Sequence, residues 1–219
     1  MTEILLMPGV YLRREPQALY VRSATPLAVL SSAVVGGELD WTRHVLNMQV
    51  PEDYRGGDHQ TDLQRLAAAL GITEPFVGVL TAAPVARAQV VIESDGETTV
   101  AVVLTAGIGN PTAAGVTAAF GRDQTAGTIN ILVVVDGRLP HAARANAIIT
   151  ATEAKTLVLV EVGVVAPHGG PATGTSTDAI VVASTERGTY HEYAGPVALV
   201  GALIGRAVRR GLQQALRSR

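Results

Sequence analysis

Residues 127–184 are GTINILVVVDGRLPHAARANAIITATEAKTLVLVEVGVVAPHGGPATGTSTDAIVVAS. An apolar run at 131–135 ends at Asp136-Gly137. An alanine-rich segment of helical character follows and carries Asn146, Thr150, Glu153 and Lys155. A second apolar run at 157–165 reads as a strand and leads into a Gly/Thr/Ser loop that closes on Asp178. A third run covers 179–183. Near-continuous apolar runs are the mark of strands covered on both faces. Polar residues therefore collect at strand ends, where α/β proteins build their sites.

Outward from this centre the pattern stays mixed. On the N-terminal side, 4–10 and 17–22 read as short strands joined by the polar turn Arg13-Arg14-Glu15-Pro16. Another strand follows Pro26 and stops at Gly36-Gly37. Asp58 or Thr61 is placed to cap a helix over 62–70, with Leu63, Leu66, Ala67 and Leu70 on one stripe and Gly71 as the stop. A buried strand is predicted over 76–83, and a hairpin over 89–105 around Asp95-Gly96. That hairpin keeps the sheet from being wholly parallel. On the C-terminal side a helix begins near Pro196, apolar in its first half and arginine-rich in its second. Positive charge in that half complements the helix dipole. The expected fold is thus one mixed α/β (α+β-like) domain over 1–219. It has N-terminal strands in 1–25, a buried mixed sheet flanked by helices, and a C-terminal helix over 195–217.

Composition narrows the function. The chain has 219 residues, 47% hydrophobic and 16% charged, which suits a compact core. A formal net charge of −2 gives no general attraction to nucleic acid. With no cysteine, thiolate metal sites and Cys nucleophiles are excluded. No signal peptide and no apolar run long enough to span a membrane is visible, so a cytoplasmic protein is expected. His44, His59, His141, His168 and His191 show no ligand spacing, so no metal site is assigned and a metal requirement stays undecided. The glycines fit neither a dinucleotide fingerprint nor a phosphate loop. Self-association into a homo-oligomer is compatible with the sequence.

Lys155 is the only lysine in a chain with 17 Lys and Arg residues. Arginine's planar fork cannot replace a compact ammonium that must act as a point charge. On the same segment Asn146, Thr150 and Glu153 fall at i, i+4 and i+7, one helical face. Glu153 and Lys155 are two apart and do not face each other, but they would flank a cleft if Lys155 sat at a helix end. A carboxylate there would serve as general base towards water and the ammonium as partner of an oxyanion. The loop 172–178 adds Thr173, Thr175, Ser176, Thr177 and Asp178, a set able to bind anions or amides. A hydroxyl beside Asp178 is a candidate nucleophile, though no histidine triad accompanies it.

Six segments carry a resemblance: LSSAVVGG (30–37), VLN (45–47), GVLTAA (78–83), GTIN (127–130), TATEAKT (150–156) and ATGTSTDA (172–179). In this order they strongly resemble the adenosylcobinamide amidohydrolase family of corrinoid salvage, over roughly residues 27 to 185 plus Gly195-Pro196. The resemblance implies hydrolysis of the amide joining aminopropanol to a propionate side chain of the corrin ring, giving adenosylcobyric acid. The corrinoid would be a small-molecule substrate rather than a cofactor, and no other cofactor is implied. Joined to the chemistry above, it makes Glu153, Lys155 and Asp178 the candidate catalytic residues. Asn47, Thr81, Thr128, Asn130, Thr173, Thr175, Ser176 and Thr177 are the candidate binding residues. Two other classes compete: a corrinoid-binding module without catalysis, and a phosphate-handling enzyme of the same pathway that uses the Thr/Ser loop on phosphate.

Overall fold

The computed structural model describes residues 3–54, 57–118 and 127–217. Strands β1 (Glu3–Met7), β2 (Val10–Glu15) and β3 (Ala18–Ser31) open the chain, followed by β4 (Trp41–Gln49), helix α1 (His59–Ala69) and β5 (Val77–Thr81). Then come β6 (Gln89–Asp95), β7 (Thr98–Ala106), the short β8 (Pro111–Thr112) and β9 (Ile129–Asp136). Helix α2 (His141–Val162), the short β10 (Gly174–Thr175), β11 (Ala179–Ser184) and helix α3 (Leu199–Arg217) complete the order. One sheet runs β1-β2-β3-β11-β9-β7-β6, with β4 paired to β3 and β5 to β4, and curls until it is nearly a barrel. It is mixed: β9 and β11 are parallel, as are β4 and β5, whereas β6 and β7 form the expected antiparallel hairpin.

The period-2 alternation of the central strands divides two cores. On β9, Ile129, Ile131, Val133 and Val135 face α2 and α3, while Val134 joins the core inside the curl. On β11, Ile180 and Val182 face the helices, and Ala179, Val181 and Ala183 face inward. Both faces of these strands are buried, as their unbroken apolar runs require. Helix α1 covers the outside of β4 and β5 with Leu63 and Ala67 against Tyr20 and Leu46. Fully burying a side chain such as Leu46 or Leu159 stabilises the fold by about 1.5–3 kcal/mol relative to exposure.

Four sequence expectations are corrected. Residues 157–162 are not a strand but the second half of α2, which ends at Gly163 with a left-handed φ of 76°. The run Leu157-Val158-Leu159-Val160 is rich in β-branched residues. However, Ala147, Ala151, Ala154 and Val158 line up at helical spacing and bury against the sheet. The strand read over 4–10 is broken by a turn at Pro8-Gly9, and Arg13, Arg14 and Glu15 lie within β2, so the next turn is at Pro16-Gln17. The segments before and after Pro26 are one long strand, β3, whose register against β4 shifts between Arg22 and Leu27. Finally, residues 195–198 form a turn, so α3 begins at Leu199. Its arginines pair with specific carboxylates: Arg209 with Glu161, and Arg206 and Arg210 with Glu93.

The beginning of α2 is held from the neighbouring strand. Pro140 precedes the helix with no side-chain cap. Instead the Glu186 carboxylate accepts from Leu139 N at 3.2 Å and Ser184 Oγ at 2.6 Å and lies 3.5 Å from Arg144 Nη1. Glu186 itself has a φ of 55°, rare for a side-chain-bearing residue.

Candidate functional site

Helix α2 runs past the end of the sheet where β9 and β11 begin, and there Lys155 meets the loop before β11. Lys155 lies mid-helix rather than at a helix end, 6% exposed, and its Nζ is hydrogen-bonded to Asp178 Oδ2. The same Oδ2 accepts from Thr175 N at 3.1 Å. The other oxygen, Oδ1, accepts from Ile129 N at 2.9 Å and from the Thr175 hydroxyl. Four donors thus converge on one carboxylate and fix the ammonium, the hydroxyl and the start of β9 relative to one another. Gly174 is required here by space: a Cβ would lie 2.6 Å from Asp178 Oδ2 and 2.8 Å from Lys155 Nζ.

This cluster forms one wall of an open cleft of about 620 Å³, within the range of small-molecule sites. Its lining is unusually rich in hydroxyls. Thr152 and Thr156 come from α2, Thr112 and Thr117 from the segment after β7, and Thr173, Thr175 and Ser176 from the loop before β11. Most are engaged with backbone or amide groups. Thr156 Oγ1 donates to Thr173 O at 3.0 Å, Thr173 Oγ1 accepts from Ala114 N at 2.9 Å, and Asn110 Nδ2 donates to Ser176 Oγ at 2.6 Å. Chemically the cleft offers a fixed ammonium, a fixed carboxylate and many hydroxyls, which suits a neutral polar substrate such as an amide. Among the described residues no group of three His, Asp or Glu side chains is placed to hold a metal ion.

The remaining predicted residues fall into three places. Glu153 projects from the solvent face of α2, two residues from Lys155 and outside the cleft lining, because a step of two in a helix turns a side chain to the far side. Thr177 lies exposed beyond the lining, its hydroxyl bonded to Gly127 O at 3.1 Å. Asn47, Thr81, Thr128 and Asn130 form a hydrogen-bonded ladder inside the curled sheet. Asn130 Nδ2 donates to Asn47 Oδ1 at 3.0 Å and Leu80 O at 2.7 Å, and Asn47 Nδ2 donates to Thr105 Oγ1 at 3.0 Å. Thr105 reaches Thr81 at 3.4 Å, and Thr128 Oγ1 links Asn130 Oδ1 at 3.1 Å to Thr177 O at 2.8 Å. Asn130, Thr81, Thr105 and Thr128 are each no more than 4% exposed. The ladder therefore ties the interior of the sheet to the loop that carries Asp178.

A sequence model of adenosylcobinamide amidohydrolases matches residues 6–219. The chain belongs to the adenosylcobinamide amidohydrolase family. Two curated proteins named adenosylcobinamide amidohydrolase agree with it. One, from Methanosarcina mazei, is 34% identical over 87% of this chain and 90% of its own length. The other, from Halobacterium salinarum, is 33% identical over 87% of this chain and 80% of its own length. Among solved structures, a protein from Pyrococcus horikoshii OT3 is similar with a TM-score of 0.47 and 9% identity, covering 91% of this chain and 77% of that one.

For this amidohydrolase family member the six sequence segments converge at one end of the sheet. TATEAKT supplies the helical wall of the cleft, ATGTSTDA the loop wall, and GTIN the start of β9 that joins them. GVLTAA and VLN feed Thr81 and Asn47 into the ladder. LSSAVVGG packs alongside, with Ser32 Oγ accepting from Ile180 N at 3.1 Å and Val35 bridging to Gly78. Sequence reading missed Thr152, Thr156, Thr112 and Thr117 in the cleft, and Thr105 in the ladder. Thr152 and Thr156 sit at i, i+4 beside Lys155, a signal present in the sequence; Thr105 is one hydroxyl in an apolar strand and gives none.

Proposed function

We propose that this protein hydrolyses the amide between aminopropanol and a propionate side chain of the corrin ring in adenosylcobinamide, giving adenosylcobyric acid and free aminopropanol. Beyond family membership, the observation that carries this reading is the buried Lys155–Asp178 pair in the wall of a hydroxyl-lined cleft. Amide hydrolysis builds negative charge on the carbonyl oxygen, and a cation held in a sparsely hydrated wall stabilises that charge more than one in open water. Lys155 takes this role. It has three donors, of which the bond to Asp178 uses one. Asp178 anchors both Lys155 and Thr175. Thr173 and Ser176 meet the substrate's peripheral amides, while the Asn47–Asn130 ladder holds the loop in register without touching substrate. Glu153 lies outside the reaction. The corrinoid is substrate only, no cofactor or nucleic acid takes part, and the reaction belongs in the cytoplasm, where a homo-oligomer is compatible with it.

The test is purified protein with adenosylcobinamide and neither nucleotide nor added metal, followed by chromatography. Adenosylcobyric acid formed by wild type and lost in Lys155→Met is the expected result. Tight corrinoid binding without product would instead identify a binding module. Turnover only with a nucleoside triphosphate and magnesium would identify a phosphate-handling enzyme.

A further inference from the structure

Among the described residues seven hydroxyl side chains line the cleft, and the hydrogen bonds of the six other than Thr112 distinguish one of them. Thr152 donates back to Ile148 O, Thr156 donates to Thr173 O, and Thr117, Thr173 and Ser176 accept from amide groups. Thr175 alone is shown donating to a carboxylate, Asp178 Oδ1, whose other oxygen is bonded to the ammonium of Lys155. Ion pair and hydroxyl are held together with little slack, since Gly174 leaves no room for a Cβ between them. A hydroxyl becomes a useful nucleophile when a base stands ready for its proton and a cation for the charge that develops on the carbonyl it attacks.

From this geometry we propose that Thr175 is the nucleophile, and that the reaction passes through an ester between Thr175 and the corrinoid. The proposal rests on the amidohydrolase reading of the cleft. In the first half, Thr175 Oγ1 bonds to the amide carbonyl carbon and its proton passes to Asp178 Oδ1. The oxyanion of the tetrahedral species faces Lys155 Nζ. The carbon–nitrogen bond then breaks, and the departing amine takes the proton from Asp178. In the second half, water adds to the ester carbonyl and gives its proton to Asp178. The carbon–Oγ1 bond breaks, and the proton returns to Thr175. One water is consumed, and an acid and an amine are formed.

The hydrogen bonds on Asp178 suit this cycle. The Thr175 hydroxyl already donates to Oδ1, so its proton moves along an existing bond. The Lys155 ammonium sits on the other oxygen, Oδ2. A substrate carbonyl that draws this cation towards itself leaves the carboxylate a stronger base, because a neighbouring positive charge favours the ionised form.

The experiment acid-quenches wild type during its first turnovers on adenosylcobinamide and measures the mass of the intact protein and of the peptide containing Thr175. Steady-state rates of Thr175→Val and Thr175→Ser are measured beside it, with corrinoid binding followed by absorbance and folding by thermal melting. The expected result is a corrinoid adduct on Thr175, a rate loss of about a thousandfold or more in Thr175→Val at retained binding, and measurable turnover in Thr175→Ser. No adduct together with a folded, binding Thr175→Val that turns over within about tenfold of wild type overturns the nucleophile and leaves the hydrolase reading intact. If Thr175→Val does not fold, the wild-type adduct and the Thr175→Ser rate decide alone: no adduct with an inactive Thr175→Ser also overturns it. Wild type that forms no adenosylcobyric acid at all overturns the hydrolase reading, and this proposal with it.

Discussion

Two polar networks meet at the same end of the sheet, one on the helix side of β9 and one inside the curl, and they differ in what they leave open. The inner ladder of Asn47, Asn130, Thr128, Thr105 and Thr81 is joined end to end by hydrogen bonds and, apart from the half-buried Asn47, is almost fully buried. The outer cluster of Lys155, Asp178 and Thr175 is just as short of solvent at its base. Yet it lines a cleft, and among the described residues Asp178 takes one of the three donors of the Lys155 ammonium. Residue type separates the two: the inner ladder is built of neutral amides and hydroxyls, whereas the outer cluster holds a helix lysine and a carboxylate. The space that adjoins them differs too: a pocket of about 20 Å³ lies against Asn47 and Asn130, whereas the cleft beside Lys155 is about 620 Å³. A neutral network of satisfied groups stabilises a fold, whereas a charge with spare donors beside a cleft is a candidate for chemistry.

Substitutions break this comparison in graded ways. Lys155→Met carries the largest expected effect: turnover falls by about a hundred- to a thousandfold, as when one oxyanion donor is removed. Because Asp178 then keeps a buried charge without its ion partner, the variant also unfolds more easily, by about 3–5 kcal/mol in denaturant titration. Gly174→Ala is expected to separate Lys155 from Asp178 and lower turnover by about a hundredfold, the scale set by an ångström of misplacement, with KM less affected. On the inner network the balance reverses. Asn130→Leu should cost about 1–3 kcal/mol of stability by orphaning Asn47 and Leu80 O, while the rate per folded molecule stays near wild type. A large kcat loss in Asn130→Leu at full folding would erase the distinction between the networks.

The smaller effects sharpen it. His191, buried at the other end of the sheet with Nε2 3.2 Å from Thr98 Oγ1, has a pKa lowered by burial. Between its folded value and the unfolded value of about 6.5, the unfolded chain binds more protons, so stability falls as pH drops through that window. His191→Gln should flatten the fall in melting temperature below neutrality without altering the cleft. Glu153→Gln should leave turnover unchanged, since its side chain points to solvent away from the lining. A rate loss there would restore a role for the helix's outer face.

The central elements were legible because local pattern and tertiary burial agree in them. The runs in β9 and β11 are apolar on both faces, and the Asp95-Gly96 turn specifies its hairpin locally. The second half of α2 was not legible. Leu157, Val158, Leu159 and Val160 fit a strand and a helix alike, and only the packing of Val158 and Leu159 on the sheet selects the helix. In the site, the single lysine and the Asp178 loop stood out by composition and resemblance. Glu153 looked equally apt until the helix continued through Lys155 and turned the two apart.

By itself the sequence determined the chemical inventory: one ammonium, no thiol, a hydroxyl-rich loop ending in a carboxylate, and six segments that name a family. Local spacing carries that much, because residue type and short-range periodicity are properties of the chain alone. Only the tertiary structure decided which of these groups meet. The Lys155–Asp178 pair spans 23 residues and the Asn47–Asn130 pair 83. Contacts at such separations depend on how the sheet curls and on which side of β9 each side chain falls, and the pattern of neighbours along the chain does not encode that.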